Sequence, residues 1–100
     1  MHKIYKQNLA EEDLFDIWIH TFINWGEDKA DSYLDELENA FNLIAENPYI
    51  GNNSDEIRQG YRQYHINRHI IFYRIADETI HVIRVLYDQM DFFKHLKSPN

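Results

Sequence analysis

The sequence predicts an α+β domain: an N-terminal strand, an antiparallel helical hairpin packed on a small antiparallel β-meander, and a short C-terminal helix. Three observations lead there. Apolar residues recur at helical spacing in two adjacent segments before residue 47. Three β-branched and aromatic runs follow residue 56, separated by short turn signals. Helices segregated ahead of strands argue for helices on one face of an antiparallel sheet. One hundred residues make one domain, taken as residues 1–100.

Each element follows from local chemistry. Ile4 and Tyr5 lie in a short extended opening, a weak strand. Asn8 is suited to cap a helix, since its side-chain oxygen can accept a first-turn amide. Glu11, three residues on, can reach back as in a capping box. Leu14, Ile17, Trp18, Thr21, Phe22 and Trp25 then form one stripe, which Gly26 ends. The second helix opens at Glu27-Asp28 and carries Ala30, Tyr33, Leu34, Leu37, Phe41, Ile44 and Ala45. Asn47-Pro48 stops it, because a residue before proline is pushed out of the helical region. Tyr49 to Glu56 reads as a loop. Strands are expected at Ile57–Ile66, His69–Ala76 and Thr79–Tyr87, with turns at Asn67-Arg68 and Ala76-Asp77-Glu78. Connections this short permit only antiparallel neighbours. Asp88 to Leu96 closes the chain as a short helix, with Met90, Phe93 and Leu96 on one side.

The expected sheet has two apolar faces and one helical hairpin. One face is therefore expected to look outward, carrying either Arg68, Ile70, Phe72 and Arg74 or His69, Ile71, Tyr73 and Ile75. An apolar face rimmed by arginine marks a partner site. Tyr61, Phe72 and Tyr73 are expected to include core members.

Composition narrows the chemistry. Hydrophobic residues make up 44% and aromatics 15%, enough for a core and against intrinsic disorder. Without cysteine there is no disulfide frame, thiolate metal site or thiol nucleophile, which suits a reducing cytoplasm. The opening residues lack the apolar core of a signal peptide, and no run is long enough to span a membrane. The net charge of −7 argues against binding nucleic acid over a broad surface. It hides an asymmetry: residues 1–56 hold thirteen acids and three lysines, whereas residues 57–100 hold four acids, seven Lys and Arg and four histidines. The two halves are expected to face different partners.

No metal or other cofactor is expected. His65 and His69 are four apart but not on a helix, and no His-Glu-x-x-His pattern occurs. Ser32, Ser54 and Ser98 lack a nucleophile-elbow context. Gly26, Gly51 and Gly60 are isolated and build no phosphate loop. General acid/base cleavage of RNA is the one enzymatic option, with Arg68, Arg74, Arg84, Tyr87 and His95 as the candidate set.

Six blocks carry a resemblance: DLFDIW from Asp13, WGEDKADSYLDEL from Trp25, AENPYIG from Ala45, EIRQGYR from Glu56, HIIFYR from His69 and IRVLYDQMD from Ile83. In this order and spacing they resemble ParE toxins of the RelE/ParE type II toxin–antitoxin superfamily, from about Ala10 to Asp91. The resemblance implies inhibition of DNA gyrase and of replication, and silencing by a cognate ParD-like antitoxin whose disordered C-terminal part folds onto the toxin. It implies no sequence-specific nucleic-acid binding by the toxin alone. A homodimer or a larger assembly with the antitoxin stays open. Target-binding residues are then expected among Arg84, Tyr87, Asp88, Met90 and Asp91. Antitoxin-binding residues are expected among Trp18, Phe22, Arg62, Phe72 and Arg74, with antitoxin bases meeting the acids of residues 27–38. The RelE branch, ribosome-dependent mRNA endoribonucleases, is the alternative. Against it, the RelE arginine before the central aromatic strand falls at Ile70, and the basic C-terminal segment is the acidic and apolar Leu86–Phe93.

Overall fold

The computed structural model of the protein describes residues 1–96. Ser98 lies outside them. In chain order the elements are β1 (Lys3–Lys6), α1 (Asn8–Trp25), α2 (Glu27–Glu46), β2 (Asn52–Asn53), β3 (Arg62–Ile66), β4 (His69–Ala76), β5 (Thr79–Tyr87) and α3 (Phe92–Leu96). They form the expected α+β arrangement.

The five strands make one sheet in the order β1-β5-β4-β3-β2. The meander β3-β4-β5 is antiparallel throughout, and β1 pairs parallel with β5. A parallel neighbour needs a long crossover, and here the crossover is the helical hairpin with the rest of the sheet. The β4–β5 link is a two-residue turn with positive φ at both Asp77 and Glu78, the backbone sign that matches strand twist.

The helix boundaries shift slightly. Helix α1 already includes Asn8, so the cap lies one residue earlier, at the extended Gln7, without a side-chain bond. The Glu11 amide instead bonds the Gln7 carbonyl at 3.0 Å. Gly26 both ends α1 and starts α2. Its φ of 93° is one that only glycine takes readily, which allows two long helices to turn with one residue between them.

The first of the three expected runs, Ile57–Ile66, was too long. Only Arg62–Ile66 is strand. Asp55 prevents extension before it, because its carboxylate accepts the Gly60 amide at 2.8 Å and the Asn53 side-chain amide at 3.0 Å. These bonds close a turn, and they hold the Asp55 carboxyl below its ordinary pKa of 3.8. The expected loop in turn contributes Asn52–Asn53 as a short edge strand.

The core has two layers, one on each face of the sheet. Above it, Ala10, Leu14 and Ile17 of α1 and Leu37, Phe41 and Ile44 of α2 pack on Ile71, Tyr73, Ile80, Val82 and Val85. Below it, Ile70, Phe72, Ile83 and Leu86 are covered by Ile57 and Tyr61 from the loop before β3, and by Leu96 and Phe92 of α3. The far face is thus not open, contrary to expectation. A run that would have been strand and a short terminal helix fold under it instead. Phe72 is fully buried, edge-on to Phe92 with ring centroids 5.1 Å apart, so it offers no docking surface here. Tyr61 and Tyr73 are core members, as expected. Helix α3 is shorter than expected, and Met90 precedes it; the Phe93 side chain lies outside the described ones.

A bulge in β5 decides which side chains share a layer. Phe72 stands opposite Arg84 and Tyr73 opposite Val82, so Ile83 is an extra residue. The bulge breaks strict alternation. It sends Ile83 and Leu86 to the lower layer and Val85 to the upper one.

Gly51 packs closely beside the sheet. A Cβ there would meet the Tyr73 hydroxyl at 2.6 Å and the Gln63 carbonyl at 2.7 Å. That hydroxyl accepts the Gly51 amide at 3.0 Å and donates to the Pro48 carbonyl at 2.7 Å. Gly51→Ala is expected to lower unfolding free energy by about 1–3 kcal/mol through overpacking. Chemical denaturation checks this, and an unchanged midpoint contradicts the close approach.

Candidate functional site

Helix α1 has more apolar residues than one face can bury. Ala10, Leu14 and Ile17 face the sheet. On the opposite side Phe15, Ile19, Phe22 and Ile23 follow at i, i+4, i+7 and i+8, a second stripe. Phe15 is 65% exposed and Ile23 73%. The sequence signal for this stripe was present but was merged with the first. The expected single stripe from Leu14 to Trp25 divides, leaving Phe22 and Trp25 exposed.

Trp18 links this stripe to α2. Its ring stacks on Phe22 at 5.2 Å, and its Nε1–H donates to Asp31 at 2.9 Å. Beside it lies a shallow groove of about 370 Å³ between the helices, lined by Glu11, Leu14, Phe15, Trp18, Leu34 and Glu38. The outer face of the hairpin is therefore a contiguous apolar surface with acidic edges. Such patches on small proteins mark partner sites.

A second concavity opens where α1 diverges from the end of β5. It has a volume of about 540 Å³ and is lined by Ile17, Val85, Leu86 and Met90 with His20, His69 and Tyr87. Tyr87 and Met90 are 41% and 42% exposed, and Asp91 is exposed beside them. His69 forms part of the wall. Its Nδ1 lies 2.6 Å from the Tyr33 hydroxyl and its ring meets Tyr87 edge-on at 5.9 Å. Burial pushes the His69 pKa below 6.5, with Asp88 and Asp13 opposing and His20 reinforcing the shift. Burial likewise raises the Tyr33 hydroxyl above 10.0. A separation of thirty-six positions between Tyr33 and His69 hid this pair from sequence reasoning.

The expected arginines have other tasks. Arg84 binds Asp13 through two bonds of 2.8 Å, with side chains only 15% and 11% exposed. It is committed inside the fold and does not reach out to a partner. The hydrogen bonds to Asp13 push the Arg84 pKa above its ordinary value. Arg62 donates to the Gly51 carbonyl at 2.7 Å and lies over the Tyr49 ring, so it ties the chain's own loop. Arg74 is half-buried opposite His81. Arg68 donates to the Tyr87 hydroxyl at 3.0 Å and approaches Asp88 at 3.6 Å.

The acid/base set does not converge. Arg68 precedes the first residue of β4 and Arg74 lies near its far end, roughly 20 Å of strand apart. His95 belongs to α3, which packs beneath the sheet, whereas Tyr87 faces the groove above it. Groups so placed cannot act on one phosphate.

Fold and surfaces together define a small α+β protein whose open features are apolar docking faces. A family model described as the ParE toxin of the type II toxin–antitoxin system, parDE, matches residues 5–92. Proteins named Toxin ParE1 from two strains of Mycobacterium tuberculosis are 46% identical over 88 residues, covering 87% of this chain and 90% of theirs. Toxin ParE1 of Caulobacter vibrioides is 37% identical over 87 residues, with the same coverage. A solved structure titled as the chromosomal ParDE TA system from P. aeruginosa shares the fold, with a TM-score of 0.76 at 17% identity over 87% of this chain and 96% of that one. The chain belongs to the ParE toxin family of type II toxin–antitoxin systems. Among the described residues no helix is long and apolar enough to cross a membrane.

Because the folded pKa of His69 lies below 6.5, the unfolded chain binds more protons in that range. Its contribution to stability is expected to be present above pH 6.5 and lost as pH falls toward the lower folded value. NMR titration of the His69 ring checks this, and a midpoint at or above 6.5 contradicts it.

Proposed function

We propose that this toxin acts by docking to DNA gyrase, without catalysis, and is silenced by a ParD-like antitoxin that covers the outer face of α1. The carrying observation is the stripe of exposed Phe15, Phe22 and Ile23 with half-buried Ile19 within it and Trp18 at its edge. A partner helix would bury its own apolar face there. Antitoxin bases would meet Asp28, Asp31, Asp35 and Glu38 along α2, and an antitoxin acid would suit Arg74. Arginine favours such pairs because its planar fork binds carboxylates through two bonds.

The gyrase surface is proposed at the end of β5, with Tyr87, Asp88, Met90 and Asp91. The scattered positions of Arg68, Arg74, Arg84 and His95 support docking over mRNA cleavage. Gyrase as target would place the protein in the cytoplasm.

A supercoiling assay with purified toxin, scored also for cleaved DNA and run beside ribosome-primed mRNA cleavage, tests this. The expected result is accumulated cleaved DNA with intact mRNA, lost in Tyr87→Ala and Met90→Ala. Cut mRNA with normal supercoiling would refute the reading. For the antitoxin face, Phe22→Asp is expected to weaken antitoxin affinity by about 30-fold or more, the size of a hot-spot loss near 2 kcal/mol. Calorimetric titration measures it, and unchanged affinity would move the antitoxin elsewhere.

A further inference from the structure

The groove between α1 and the end of β5 differs from the outer face of the hairpin in its charge. Its floor is apolar, made chiefly by Ile17, Val85 and Met90. Two carboxylates line it, Asp13 and Asp16. Asp13 is neutralised by the two bonds from Arg84. Asp16 is exposed and has no partner among the described residues. Glu12, also exposed, lies four residues before Asp16 on the same ridge of α1. Asp91, exposed next to Met90 in the chain, accepts the Lys94 amide at 3.2 Å. No Lys or Arg lines the groove, and burial keeps His69 uncharged at neutral pH. The result is an apolar hollow with unmatched negative charge on its rim.

The outer stripe of α1 lies on another side of the same helix. Ile17 faces the sheet, Asp16 lines this groove, and Phe15 and Trp18 line the shallow groove on the α2 side. Two partners can therefore meet α1 on different faces.

We propose that this groove is the target-docking site, and that it takes a protein segment carrying a large apolar side chain beside a Lys or Arg. The apolar side chain would lie against Ile17, Val85 and Met90, and the cation would meet Asp16. Charge complementarity selects this occupant, since an acidic segment would face Asp16 with no Lys or Arg in the groove lining to compensate. The inference rests on the reading of the chain as a toxin that acts by docking, and adds the chemistry of what it docks to and the part of α1 in it.

The test is charge reversal at Asp16. Asp16→Lys removes no internal bond, so the fold should survive, which its circular dichroism and Tm verify. Three readouts are taken on the full chain: growth arrest on induction in cells, gyrase-dependent DNA cleavage, and affinity for the cognate antitoxin. The expected result is relief of growth arrest, at least about tenfold less cleaved DNA, and antitoxin affinity within about twofold of the parent. Asp16→Asn should fall between. Full growth arrest by Asp16→Lys overturns the proposal, as does a matching loss of antitoxin affinity, which would give the groove to the antitoxin. If the parent arrests growth without affecting gyrase, the gyrase reading falls, and relief of arrest by Asp16→Lys still supports the groove. A parent that does not arrest growth overturns both.

Discussion

One carboxylate joins the two halves of this protein. Asp13 on α1 accepts three hydrogen bonds from β5: two from the Arg84 guanidinium at 2.8 Å and one from the Val85 amide at 2.9 Å. The Val85 amide needs it. Strand β1 covers β5 only as far as Val82, where the chain turns away into α1. Beyond that point β5 has an uncovered edge, and a backbone N–H left unpaired in the interior is costly. Asp13 replaces the missing strand. Arg84 in turn neutralises a carboxylate with little access to water, and the fork geometry satisfies both oxygens. The bulge at Ile83 takes Arg84 out of strict alternation, so its side chain is available for this task.

This clamp also shapes the surface. It fixes the first half of α1 against β5, while the second half diverges from it. The gap becomes the groove at Tyr87 and Met90. With α1 held by one face, its remaining apolar residues have nothing of the chain's own to pack on. Phe15, Phe22 and Ile23 remain exposed because the sheet is already covered, not because the core is short of space. A chain built this way retains hydrophobic surface for association.

Much of the architecture was legible in local patterns. The limits of β4 and β5 follow from β-branched runs and turn residues, and the hairpin follows from its periodicity and Gly26. What was hidden is non-local. The fate of Ile57–Tyr61 depended on Asp55 bonding Gly60, and the covering of Phe72 depended on where α3 returned. Arg84 read as a surface arginine because its partner lies seventy-one residues away. The same distance problem hid Tyr33 and His69. The outer stripe was a different kind of miss: its period was in plain view, but two stripes on one helix resemble a single wide one. Of the residues expected at the target surface, Tyr87 and Met90 both line the groove.

A double-mutant cycle on Asp13→Ala and Arg84→Ala, read by unfolding free energy, tests the clamp most directly. Either single change leaves a charge with restricted access to water and no partner, whereas the double change leaves neither. The account predicts a coupling of about 2–3 kcal/mol, with the double variant little worse than either single one. Additive losses, or a coupling below about 0.5 kcal/mol, would show that α1 and β5 hold together without this interaction.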